Sequence, residues 1–209
     1  MNKGKFLSLE GVEGVGKTTN LNFIAEYLDK AGKTVVTTRE PGGTRIAENI
    51  RGLLLDHDDE QLTNETELLL MFAARAQHLQ RVIKPALEAG HWVVSDRFTD
   101  ASYAYQGGGR DFKMTDITWL ENFVQKGLAP DKTILLDLDV ELGLKRAASR
   151  SLPDRFESEQ KVFFESVRSV YLQRANAEPN RFCVIDASKS VVQVQQSITR
   201  YLDELLIDG

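Results

Sequence analysis

Gly11-Val12-Glu13-Gly14-Val15-Gly16-Lys17-Thr18 fits the pattern G-x-x-x-x-G-K-[ST] at every fixed position. Its flanks give the match meaning. Lys5-Phe-Leu-Ser-Leu-Glu10 before it is a short apolar run that predicts a strand, and Thr19 to Leu28 after it predicts the start of an amphipathic helix. Strand, glycine loop and helix together make a phosphate-binding site. The glycines let successive backbone N–H groups curl around anionic oxygens, and the helix N-terminus adds partial positive charge. In this reading residues Gly11 through Thr19 form the cradle, Lys17 reaches the terminal phosphates, and the Thr18 hydroxyl suits a Mg²⁺ ligand.

The same alternation continues outward. Strands are expected at Lys33–Thr38, His91–Ser95, Thr133–Asp137 and Arg181–Ile185. Helical pattern covers about Thr44–Leu55, Thr63–Ala89, parts of 98–106 and 115–126, Leu142–Arg150, 157–178 and 190–207. Five short apolar strands separated by helices predict an α/β protein: a three-layer P-loop NTPase fold with a five-stranded parallel sheet flanked by helices. Ligands of such sheets bind at the carboxyl ends of the strands. No internal repeat, low-complexity tract or linker interrupts the pattern, so one domain spanning 1–209 is expected.

The 26 Lys and Arg against 31 Asp and Glu leave a net charge of −5 over 209 residues. A dedicated nucleic-acid or membrane-surface binder needs a net basic face, so neither partner is expected. A small anionic substrate needs only local cations. The single cysteine, Cys183, lies in the apolar run Phe182–Ile185 and reads as a core thiol. The absence of a signal-peptide pattern or a membrane-length apolar run predicts a cytoplasmic protein.

Four clusters are expected on the strand-end rim. Thr38-Arg39-Glu40-Pro41-Gly42-Gly43-Thr44 leaves the second strand as a turn carrying a cation and an anion. Asp96-Arg97 ends the third strand, where the acid could hold Mg²⁺ through water and the arginine could fork onto a phosphate. Arg75 stands in an otherwise apolar run, Met71-Phe72-Ala-Ala-Arg75. Lys145, Arg146, Arg150 and Arg155 crowd a segment broken by Ser151-Leu-Pro153, which suits a lid at about 146–157 closing over phosphates. A phosphate loop with several separate arginine sources is what a kinase with two anionic substrates requires.

These stretches together resemble the bacterial thymidylate kinases of the nucleoside monophosphate kinase group. The resemblance rests on GVEGVGKTT, TREPGGT, FAARAQH (72–78), SDRFTDASYAYQGGGR (95–110) and KRAASRSLPDRFE (145–157), in that order. It implies transfer of the γ-phosphoryl of Mg-ATP to dTMP, and a homodimer. It also implies residue roles. Glu13 would accept from the 3′-hydroxyl of dTMP, while Arg97 and Arg51 would clamp the acceptor phosphate with Arg39, Glu40 and Pro41 nearby. Arg75 would donate to thymine, Ser102 and Gln106 would contact the base, and Tyr105 would crowd the 2′ position. Arg146 would pack on adenine. With an acidic loop residue and arginines at 150 and 155, the chain resembles the type whose lid supplies the catalytic arginines, alongside Lys17 and Arg97. One position departs from the family pattern: the thymine-stacking phenylalanine stands four residues before the base-reading arginine, and here that place is Met71, with Phe72 beside it.

Two rival readings remain open on the residues alone. Another small P-loop kinase would take a different acceptor. A non-catalytic nucleotide switch would bind ATP without acceptor-dependent ADP release, and the absence of an Asn-Lys-x-Asp guanine-reading motif weakens a GTPase switch.

Overall fold

Strands β1 (Phe6–Glu10), β2 (Val35–Arg39), β3 (Trp92–Asp96), β4 (Lys132–Asp137) and β5 (Phe182–Asp186) form one parallel sheet, ordered β2-β3-β1-β4-β5. This is the computed structural model of the chain, and it describes residues 4–56, 61–148 and 154–207. The central strand β1 is buried at every residue. A strand covered on both faces cannot alternate polar and apolar positions, which is why FLSLE reads as an apolar run rather than a striped one. Its one hydroxyl, Ser8, is satisfied across the sheet by Thr133 at 2.8 Å. β2 and β5 are the edges and are less covered.

Helices α1 (Lys17–Lys30), α2 (Arg45–Leu55), α3 (Asn64–His78), α4 (Lys84–Glu88), α5 (Thr99–Ser102), α6 (Met114–Gln125), α7 (Val140–Ala148), α8 (Lys161–Ala177) and α9 (Val191–Ile207) flank the sheet. Thr44 and Thr63 cap α2 and α3, their hydroxyls accepting from Ala47 N at 3.1 Å and Thr66 N at 3.2 Å. α1 and α9 pack on one another, and α8 packs against β4 and β5. Among the described residues no helix is long and apolar enough to cross a membrane.

Three expected helices have different ends, each for a local reason. The segment expected to be helical over Thr63–Ala89 widens into a π-helical turn at Leu79–Ile83 between α3 and α4. Pro85 has no N–H to give the preceding turn, and its ring crowds the carbonyl four residues back. Downstream of β3, α5 likewise opens into a π-helical turn over Tyr103–Gly109, where three consecutive glycines favour the regular coil least. The expected 157–178 helix begins at Lys161 instead. Asp154 Oδ1 accepts from both Phe156 N and Glu157 N at 2.9 Å, so the chain closes a separate turn before the helix starts.

The phosphate loop between β1 and α1 is fixed by close backbone packing. A Cβ on Gly14, whose φ is +72°, would lie 2.0 Å from the Gly143 carbonyl oxygen of α7. Only glycine permits both that conformation and that approach.

Candidate active site

The strand order brings the carboxyl ends of β1, β2 and β3 side by side, and the predicted residues collect there. Gly16, in the left-handed region, precedes α1 with no side-chain cap, so the first N–H groups of the helix face the loop. Lys17 is buried, and its ammonium donates to the carbonyls of Gly11 (3.1 Å) and Val12 (2.9 Å). Burial and the Arg97 charge lower its pKa. Its anionic neighbour Glu13 has Oε2 at the long distance of 4.0 Å, so the ammonium's short contacts are to neutral carbonyls that an anionic oxygen can displace. Thr18 and Thr19 are exposed at the start of the helix.

Glu13, inside the loop, reaches across to the neighbouring strand. Its Oε1 accepts from Arg97 Nη2 at 2.5 Å and from the Tyr105 hydroxyl at 2.9 Å, and Arg97 Nη2 also donates to that hydroxyl at 2.7 Å. Burial alone would raise the Glu13 carboxyl, but Arg97 and Lys17 outweigh it and hold the pKa at about 2. Arg97 itself has φ +68°. A non-glycine residue persists there only when its surroundings over-determine it. Here Arg97 N donates to Leu9 O at 3.0 Å and Ser95 Oγ donates to Arg97 O at 2.7 Å.

Arg75 of α3 is the second node. Its Nε donates to Glu40 Oε2 at 2.6 Å, and Nη2 donates to Phe98 O at 3.2 Å and Ser102 Oγ at 3.0 Å. Nη1 is buried with no hydrogen-bond partner among the described residues, as are Asp96 Oδ1 and Arg97 Nε. Buried polar groups are rarely left unpaired, so three orphans around one site point to a polar ligand.

Glu13, Glu40, Pro41, Arg51, Met71, Arg75, Arg97, Ser102, Tyr105 and Gln106 line a single cavity. Met71 faces it, whereas Phe72 is buried in the core with the Arg75 guanidinium 4.7 Å from its ring. Arg51 donates to Pro41 O at 3.1 Å. Arg39 lies outside the lining, exposed and paired with Glu48 at 2.8 Å. Arg155 is also turned away: it donates to Leu54 O (2.8 Å) and to Glu67 Oε2 (2.6 Å). Arg146 donates to Ala187 O at 3.0 Å, in the segment after β5. Arg150 lies outside the described residues.

The cavity has further walls that the sequence reading missed: Leu55, Phe98, Ala101, Asp154, Phe156 and Glu157. Leu55 was within reach of that reading, because it follows Arg51 by one helical turn on α2. Phe156 and Glu157 sit in the segment read as a lid. Buried Glu67 carried no local signal, although it accepts from Gln106 Nε2 at 2.8 Å and pairs with both Arg110 and Arg155.

Chemically, the arrangement is an anion-binding loop sharing a wall with a cavity that has arginines at one end and hydrogen-bonding groups around an apolar floor at the other. The model of the thymidylate kinase family matches residues 9–198. A thymidylate kinase of Ectopseudomonas mendocina is 57% identical over 203 residues, 97% of each chain, and one of Pseudomonas syringae pv. tomato is 56% identical over the same share. The solved thymidylate kinase of Ehrlichia chaffeensis superposes with a TM-score of 0.78 at 32% identity, covering 96% of this chain and 99% of that one. With nine-tenths of its length matched by the family model and relatives more than half identical over nearly all of it, the chain belongs to the thymidylate kinase family and is a nucleoside monophosphate kinase.

Proposed function

We propose that the protein phosphorylates dTMP to dTDP with Mg-ATP by direct in-line transfer, for dTTP synthesis. Glu13 carries this reading. It belongs to the phosphate loop, yet its carboxylate is bonded to Arg97 and Tyr105 of the cavity, so donor loop and acceptor cavity share a wall. The ATP phosphates would lie on the amides of residues 14–18 with Lys17 on the transferring group, and adenine near Arg146. The dTMP phosphate would sit between Arg51 and Arg97, with Arg39 at the rim and Glu40 and Pro41 behind. Its base would lie over Met71, read by Arg75, Ser102 and Gln106, and Tyr105 would crowd a 2′-hydroxyl.

Transfer forms a bond from a dTMP phosphate oxygen to Pγ as the bond from Pγ to the ADP oxygen breaks. The acceptor oxygen is already anionic, so no general base is needed, and positioning plus charge neutralisation supply the rate. The residues fit a magnesium ion: Asp96 Oδ1 is a buried, unpartnered oxygen, and the Thr18 hydroxyl opens α1. When bound, Mg²⁺ neutralises charge shared between the β- and γ-phosphates. Arg150 and Arg155 would approach the phosphates through the lid at about 146–157 of this one kinase domain. A homodimer and a cytoplasmic location complete the reading.

The test is Mg²⁺-dependent ADP release with dTMP, dUMP, dCMP, dGMP, AMP or no acceptor. dTMP should be strongly preferred. Loss of the thymine methyl should lower kcat/KM for dUMP by roughly 10–200-fold, the worth of one methyl in an apolar pocket. Equal turnover of dUMP and dTMP would refute a shaped base pocket, and release without acceptor would point to an ATPase.

A further inference from the structure

We infer that His78, backed by Thr38, is a positioning residue that aims the base-reading guanidinium of Arg75. The inference deepens the dTMP reading of the cavity and rests on it. Neither His78 nor Thr38 lines the cavity. Both lie behind Glu40, which does.

His78 ends α3 one turn after Arg75, so both side chains project toward Glu40, the residue that follows β2. Glu40 is shared between them: Oε2 takes Arg75 Nε at 2.6 Å and Oε1 takes His78 Nδ1 at 2.9 Å. On its other side, His78 Nε2 meets Thr38 Oγ1 at 2.6 Å. All four side chains are buried. A carboxylate paired with a guanidinium offers only acceptors, so Nδ1 donates to Glu40, while Nε2 and the Thr38 hydroxyl share the second hydrogen bond. The ring is thereby held on both sides, by Glu40 at Nδ1 and Thr38 at Nε2, with Arg75 donating to Glu40 from the opposite end. Gly43 walls the ring, since a Cβ there would lie 2.6 Å from His78 Nε2 and 2.7 Å from Thr38 Oγ1.

The consequence falls on Arg75. Its Nε and Nη2 are committed to Glu40, Phe98 O and Ser102, leaving buried Nη1 for a ligand acceptor. Where Nη1 points depends on the plane of the Glu40 carboxylate. With only Arg75 as partner, that carboxylate can rotate and tilt the guanidinium about its Nη2 anchors on Phe98 O and Ser102 Oγ. With His78 holding Oε1, it cannot. Misplacement of a binding group by about 1 Å is enough to cost two orders of magnitude.

Steady-state kinetics for dTMP and ATP, with thermal melts, on His78→Phe, His78→Asn and Thr38→Val test this. Phe keeps the ring volume and removes both polar contacts. Asn places an amide N–H where Nδ1–H stands and keeps the Glu40 contact alone. His78→Phe should raise the KM for dTMP about tenfold or more, the worth of a hydrogen bond to a charged group, with the KM for ATP unchanged. His78→Asn should return to within about threefold of wild type, and Thr38→Val should raise the dTMP KM by about threefold, as expected for one neutral hydrogen bond. The inference is overturned if His78→Phe binds dTMP normally, if both KM values rise in parallel, or if Asn is as poor as Phe. Should His78→Phe fail to fold, the Asn and Val variants carry the same test, and an unchanged dTMP KM in Thr38→Val overturns it. Wild-type turnover of dTMP is the control. Its absence refutes the dTMP reading and this inference together, whereas normal turnover with indifferent variants refutes the inference alone.

Discussion

Glu10 and Glu13 stand three residues apart and are driven in opposite directions. Glu13 meets two cations and stays ionised. Glu10, at the end of β1, is fully buried, and burial together with the Asp100 charge pushes its carboxyl up to about 8. It is satisfied by Tyr171 OH at 2.8 Å and Phe98 N at 2.7 Å. The folded protein therefore keeps a proton on Glu10 that the unfolded chain, near 4.5, has lost. Stability from this group is complete below pH 4.5 and falls as pH rises toward 8. Glu10→Gln cannot titrate, so its melting temperature should gain on wild type from pH 5 to 8 and then run parallel. A constant offset across melts at pH 5, 6, 7, 8 and 9 would contradict this. The phosphate loop was legible because its chemistry is contiguous in the chain, and Arg75 because a lone cation stands out in an apolar run. Glu67 and His78 were not, because a buried polar residue is explained by partners that arrive from other elements.

At the scale of elements, the parallel sheet could be read from apolar runs alone, since strands covered on both faces leave no other pattern. Helix ends could not. Pro85 widens a helix that periodicity continues, and Asp154 caps a separate turn closed by Ser158 N on Asp154 O, after which α8 starts afresh. The segment after Asp154 also bears on catalysis. Arg155 is held by Glu67 and the Leu54 carbonyl, so reaching a phosphate requires exchanging one anion for another. Glu67 keeps Arg110 as a partner at 3.2 Å throughout. A contact made chiefly in the transition state affects turnover more than ground-state binding. Arg155→Ala should thus lower kcat by roughly tenfold to a hundredfold while the KM for dTMP changes little. A rise in KM with kcat preserved would make Arg155 a ground-state binder.

On the whole molecule, one group of exposed apolar side chains spans three neighbouring helices. Leu53 on α2, Leu69 on α3, and Trp119 and Phe123 on α6 are all more than half exposed, and the last two stack with centroids 5.6 Å apart. α3 packs beside both α2 and α6. Surfaces of this kind mark interfaces. Light scattering should give twice the chain mass for the wild type and a single chain mass for Trp119→Glu combined with Phe123→Glu. A wild-type monomer, or an unchanged double variant, would remove this surface as the contact.

The most direct measurement follows the phosphoryl group itself. Incubated with Mg²⁺, dTMP and ATP labelled at the γ-phosphate, the wild type should place the label in dTDP, one dTDP for each ADP formed. Lys17→Ala, lacking the charge that follows the group, should leave the label in ATP. Label appearing as free phosphate, or dTDP formed at the wild-type rate by Lys17→Ala, would contradict transfer from a nucleotide on this loop to dTMP in the neighbouring cavity.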